Sequence, residues 1–324
     1  MSKWLLERLL ETKPQPEPRF AFQGTVNWIR ALSLIIEKSD LEKNSFLKDF
    51  YSTIKPREIM DRNSDTLTFE ALLMAFHNLS SLNKMKSSQD SSYDLCRSAI
   101  VSWYYCTYFS ASAMIAATSG ASPDNHTKTA TVWQDNIIRK KLIPYPFDLS
   151  ISDLSKSSIV EAIKTFVKDQ EYNLSDTYAV NLNEAHGVIV SYLKGTANYL
   201  KDKTEDNIKQ DKNFKKLGVS DFRTKKTREF RDSRLEKKHV NFLNQAFRFR
   251  GKANYRDSLF LSYGDDNTTK LITFIEDLFT ISKSFLKVSA YYSSRKVEKG
   301  SWKLFIDDLE ENSKLSASID IFKF

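Results

Sequence analysis

Arg97-Ser-Ala-Ile-Val-Ser-Trp-Tyr-Tyr105, running on through Phe109 to Gly120, is the stretch on which the fold turns. From Ser98 to Pro123 there is no charged residue. A run of that length can cross a bilayer. This one, however, carries Ser98, Ser102, Thr107, Ser110, Ser112, Thr118 and Ser119 with three tyrosines, and one flank lacks the basic residues that set orientation. A helix buried on all sides at the centre of a bundle has the same composition, and the segment is read as that.

Working outward, helical periodicity dominates. Val26, Ile29, Leu32 and Ile36 mark a helix over 25–38, and another is expected over 67–85. Ser91 or Ser92 caps the uncharged helix, and Gly120 ends it. Pro123-Asp124 then turns the chain into a helix through Trp133 and Ile138. Further helices are expected over 157–168, 182–200, 205–217, 240–249 and 268–291, with a polar, charged stretch over 220–238. Residues 143–152 read as an extended surface loop with room for a short strand. Upstream, Trp4, Leu5, Leu9 and Leu10 give a short amphipathic helix that stops before Pro14. Its interspersed charges do not fit a signal peptide. The final Phe-Lys-Phe of the tail looks surface-bound.

Only 8 Gly and 7 Pro occur in 324 residues, too few for the many turns of an all-β fold. The expected class is therefore all-α: an N-terminal helical extension over 1–65, a bundle over 66–292 and a tail over 293–324. Cys96 and Cys106 fall ten apart on one helix, about 15 Å along its axis, too far to bridge. Without a disulfide framework, a reducing cytoplasm is expected.

Charge is placed unevenly. Residues 201–256 hold 18 Lys plus Arg against 8 Asp plus Glu, a balance of +10, whereas the whole chain carries +8. Such a segment suits nucleic acid, an acidic protein surface, or simply a solvated lysine-rich helix. Lys225, Lys226, Arg228, Arg231, Lys237 and Lys238, with Arg248, Arg250 and Lys252 further on, make the candidate nucleic-acid footprint. Phe222 and Phe230 interleave with it, as rings that stack on unpaired bases do.

Phosphate-binding loops, dinucleotide turns and nucleophile elbows are absent from the sequence. His77, His126, His186 and His239 lack zinc-motif spacing, so neither metal nor other cofactor is expected. Two blocks remain, about 150 residues apart: Arg97-Ser-Ala-Ile-Val-Ser-Trp-Tyr-Tyr105, followed by Gly120 and His126, and Arg250-Gly-Lys-Ala-Asn-Tyr255. Together they resemble the HEPN superfamily, prokaryotic helical bundles tied to toxin–antitoxin and phage-defence systems. Arg97, Tyr104, Tyr105, His126, Asn254 and Tyr255 carry the likeness. Asn254 stands where the family commonly has Asp, which removes a charge that would pair with an arginine such as Arg97.

The resemblance implies a HEPN-like bundle with a long basic insertion, since the 120 or so residues between the blocks exceed a minimal unit. It also implies one component of a defence or toxin–antitoxin-like system, binding a partner protein or a second copy of itself. Nuclease members of the superfamily use Arg-x(4–6)-His, and Arg234-Leu-Glu-Lys-Lys-His239 has that spacing. There the His would move a proton at a ribose hydroxyl while the Arg stabilises phosphate charge. Three expectations therefore stand side by side: a subunit binding RNA or DNA through its basic segment, a metal-independent ribonuclease using Arg234 and His239, and a purely structural adaptor. His126 reads as a helix-start or polar-core histidine, and Tyr104, Tyr105 and Tyr255 as structural.

Overall fold

The computed structural model describes residues 21–57, 61–87, 92–168, 172–255, 271 and 273–324. The expected helix around Trp4 to Leu10, the Ser91 cap, Arg256 and the start of the 268–291 helix lie outside these residues. Helix makes up 72% of the structure and strand 1%, so the class is all-α.

The uncharged segment forms α4 (Ser92–Ser119), the centre of the molecule. Its small residues Ala99, Ala111, Ala113 and Ala117 are fully buried and let neighbouring helices come close. Against it lie α3 (Arg62–Lys86) and α11 (Phe274–Lys296). On its other sides are α5 (His126–Trp133) and α10 (Phe242–Tyr255). The helix ends at Gly120, whose φ of +67° suits glycine, and a Cβ there would sit 2.4 Å from Ser64 Oγ.

In chain order the other helices are α1 (Ala21–Glu37), α2 (Asn44–Phe50), α6 (Lys156–Lys168) and α7 (Leu182–Gln210). They are joined by α8 (Lys212–Lys215), α9 (Lys225–Leu235) and α12 (Ser301–Asn312). Local chemistry sets their starts: Asp61, Asn125, Asn181 and Thr224 each accept a backbone N–H of the first turn they precede. Asn181 accepts from Glu184 N at 3.0 Å, and the Glu184 carboxylate reaches back to accept from Val180 N at 2.9 Å. Residues 143–152 do contain a strand, β1 (Ser150–Ile151), paired antiparallel with β2 (Val240–Asn241).

The core is aromatic. Trp28 of α1 stacks on Phe249 at 4.7 Å and meets Trp103 of α4 edge-on at 5.8 Å. Phe147 and Phe242 close on Phe285 of α11 at 4.8 and 5.2 Å. Residues 21–57 therefore share the bundle core: Ile29 and Leu47 are fully buried. Arg30 and Asp277 pair at 2.8 Å between α1 and α11, although burial still pushes the Asp277 carboxyl up to about 6. The C-terminal tail folds back as well. Phe322 is fully buried against Phe76 and Phe305, while Phe324 stays at the surface.

Candidate functional site

Arg97, Val101, Tyr104, Tyr105 and Tyr108 recur at helical spacing and form one stripe of α4. On α10 the corresponding stripe is Phe247, Arg250 and Asn254. Arg97 Nη2 donates to the Asn254 carbonyl at 3.3 Å. Arg250 Nη2 donates to the Tyr105 hydroxyl at 3.0 Å, and the Tyr104 and Phe247 rings lie 6.0 Å apart. Positions climb on α4 as they fall on α10, so the two helices run antiparallel with the two sequence blocks face to face. The Arg97 contact uses the main chain of residue 254, so it does not depend on the side chain there. The side chain of Tyr255 lies outside the described residues.

His126 opens α5 beside this stripe. The Tyr104 hydroxyl lies 2.7 Å from His126 Nδ1. Tyr108 stands edge-on to the imidazole at 4.7 Å, and Phe247 tilts over it at 5.0 Å. Burial pushes the Tyr104 phenol well above its usual range, so it remains a donor at neutral pH. Burial, then the Arg250 cation, holds His126 below its ordinary 6.5. The imidazole is therefore neutral at pH 7, and its Nδ1 shares one hydrogen bond with the Tyr104 hydroxyl. Arg250 lies over the Tyr104 and Tyr105 rings at 5.7 and 5.5 Å. The sequence reading passed over Tyr108 and Phe247. The signals for them were present: Tyr108 is one turn beyond Tyr104, and Phe247 one turn before Arg250.

The basic segment divides in two. Arg231, Arg248, Arg250 and Lys252 are half-buried and held against rings: Arg231 over Phe222 at 5.5 Å, Arg248 over Tyr199 at 4.5 Å, Lys252 near Phe249 at 5.9 Å. Arg231 also pairs with Asp232 at 2.7 Å, and Arg248 donates to Thr196 Oγ1 at 2.9 Å. Lys225, Lys226, Arg228, Lys237 and Lys238 are exposed. Of these only Lys225 has an acidic partner among the described residues, Glu229 at 3.9 Å. Phe222 and Phe230 lie 5.2 and 5.8 Å from the buried Phe214 of α8, which ties α8 and α9 into a small cluster of their own.

Arg234 sits in the last turn of α9, 3.6 Å from Asp211 and 5.5 Å from the Phe230 ring. His239 follows the end of that helix and lies near the Ala130 carbonyl, Asp135 and Arg139. The two side chains thus face different elements. Burial lowers the His239 pKa despite the opposing pull of Asp135. Next to it Asn241, fully buried, donates to the Ala130 carbonyl at 3.0 Å and to Gln134 at 3.1 Å, which fixes β2 to the end of α5.

Cys96 and Cys106 are buried thiols outside any disulfide, and burial pushes both up to about 12, which makes them poor nucleophiles. Among the described residues no helix is long and apolar enough to cross a membrane, and no three His, Cys, Asp or Glu side chains group as metal ligands do. Comparison with known protein families, with curated proteins and with solved structures finds no match.

Proposed function

We propose that the chain is a HEPN-like binding subunit of a prokaryotic defence or toxin–antitoxin-like system that holds nucleic acid by its phosphates. The observation that carries the binding role is the division of the basic segment. Four exposed cations on and just after α9, Lys226, Arg228, Lys237 and Lys238, have no acidic partner among the described residues, while Arg231 and Arg234 anchor the segment. Cations left unneutralised on a structured surface displace counterions from a phosphate backbone. Support for the HEPN-like part is the meeting of the two resembling blocks along α4 and α10.

The test is fluorescence anisotropy with labelled single-stranded RNA and DNA, titrated from about 50 to about 200 mM salt. Affinity should fall steeply with salt and show little sequence preference. In the variant K226E/R228E/K237E/K238E the slope should flatten by roughly one unit for each phosphate contact removed. Absence of binding at low salt, or an unchanged slope in the variant, overturns the proposal. End-labelled RNA incubated in EDTA, with His239→Ala alongside, distinguishes the ribonuclease reading: cleavage by the parent chain alone would replace the binding role with catalysis.

A further inference from the structure

Arg139-Lys140-Lys141 lies outside the basic segment in sequence, yet the fold brings it to the end of that segment. A single π-helical turn, Gln134–Ile138, continues α5 and stops in a Schellman turn. There Leu142 N donates to the Ile137 carbonyl at 3.0 Å and Lys141 N to the Ile138 carbonyl at 2.8 Å. The residue at the apex of such a turn is left-handed, and Lys141 has a φ of +55°. Glycine takes that conformation freely, whereas a Cβ strains it. Lys141 is exposed and forms no ion pair among the described residues, so no charge pairing of that kind offsets the strain. Asn241 pins β2 to the Ala130 carbonyl and Gln134, which sets residues 237–239 beside the end of this turn. Besides burial, the Arg139 and Lys238 charges both lower the His239 pKa, so both lie near that ring. Arg139 is held by Asp135 at 2.7 Å, whereas Lys140, Lys141, Lys237 and Lys238 are exposed with no acidic partner among the described residues. Glu236 is the exposed carboxylate next to them in the chain. One edge of the molecule therefore carries four unpaired lysines drawn from two distant parts of the sequence.

We propose that the Arg139–Lys141 turn is a second arm of the nucleic-acid surface, on which Lys140 and Lys141 contact the same phosphate backbone as Lys237 and Lys238. The proposal rests on the strand-binding role and extends it to residues outside the basic segment. Strain kept at an exposed position marks a side chain that is used there, because glycine would hold the turn better. Two lysines that neutralise two phosphates release the counterions condensed on them, so the arm is read in the salt dependence of binding.

Fluorescence anisotropy of the full chain with labelled oligouridylate and oligothymidylate, titrated with salt, tests the arm. In K140Q/K141Q the salt slope should flatten by about 1.4 units, about 0.7 for each phosphate contact of a single strand. Lys141→Gly should flatten it by about 0.7 units and raise the melting temperature by about 1–2 °C, since glycine relieves the turn. The control K303Q/K314Q removes the same charge from α12 and the chain after it, and should leave the slope as in the parent. A slope in K140Q/K141Q equal to that of the control overturns the arm. So does a Lys141→Gly chain that binds as the parent does, or one that melts no higher, which would make Lys141 a structural residue. Polyglutamate that displaces the strand at equal charge assigns the surface to an acidic protein and overturns the arm as a nucleic-acid contact. If the parent does not bind at low salt, the strand-binding role falls and the arm with it. If the parent binds, and K226E/R228E/K237E/K238E weakens binding while K140Q/K141Q does not, only the arm falls.

Discussion

Helices α4 and α9 sit at opposite extremes of one architecture. From Ser98 onward α4 has no charge, and Trp103, Met114 and Ile115 along it are fully buried. In α9, 7 of 11 residues are charged, and only Thr227 and Leu235 are buried. The first is a helix because most of its sides are packed, so its surroundings define it. The second depends on its ends and its neighbour: Thr224 caps it at 3.3 Å, and Phe222 and Phe230 close on Phe214 beneath it. One helix supplies the rigid wall of the tyrosine–histidine junction, and the other holds cations out in solvent. The protein thus keeps its two candidate sites on supports of very different stiffness.

The contrast is broken most severely at Trp103. Trp103→Ala removes a fully buried ring from the contact with Trp28 and should cost about 3–5 kcal/mol, read as a shift of the urea midpoint. Phe214→Ala should cost less globally, about 2 kcal/mol, because a small peripheral cluster relaxes more readily. Hydrogen exchange should then quicken over 212–235 and stay slow in α4; equal quickening in both would show that α9 belongs to the central core after all. Tyr104→Phe, which removes one half-buried hydrogen bond, should cost about 1 kcal/mol.

Acidification sharpens the comparison in a fourth way. His126 titrates near 6.5 when unfolded and lower when folded, so between those values the unfolded chain holds more protons. Stability from this group is complete above the unfolded value and declines as pH drops below it. Asp277, raised to about 6, acts in the opposite direction, equally in parent and variant. The fall in Tm between about pH 7.5 and about pH 5.5 should therefore be smaller in His126→Asn than in the parent. A difference of zero would mean that the junction does not feel the imidazole's charge. Smallest of all, Lys226→Gln and Lys238→Gln should leave stability within about 0.5 kcal/mol, as exposed unpaired side chains do.

How much of this was legible in the sequence differs between the two helices for the same reason. A run without charges dictates burial, and a glycine at its end dictates a stop, so α4 and its boundary at Gly120 could be read directly. The charged stretch over 220–238 read only as polar, since nothing local says that Thr224 caps a helix or that Phe214 waits below it. Helix α10 was expected to end before Gly251 but continues through it; Ala253 beyond the glycine is buried in the core and draws the helix on. Phe322 followed a tail that looked superficial, and only the tertiary groove between α3 and α12 accounts for its burial. At the junction, Arg97, Tyr104, Tyr105, His126 and Arg250 were all nominated, yet no spacing rule pairs residue 105 with residue 250. Tyr108 and Phe247 were missed because a ring at helical spacing looks the same whether it lines a core or a cleft.

The antiparallel seating of α4 on α10 also bears on how the chain is made. During synthesis α4 leaves the ribosome about 145 residues before Arg250, the arginine that will lie over its tyrosines. In that interval α3, the preceding hairpin partner, can cover one side, while the faces that end against α10 and α11 stay bare. Contacts so distant in sequence form late and slowly. A nascent chain stalled before residue 250 therefore carries a partly uncovered apolar helix, a target for chaperones and for aggregation. The same geometry means that a product truncated before α10 has neither the Arg250 charge nor the Phe247 ring at its junction.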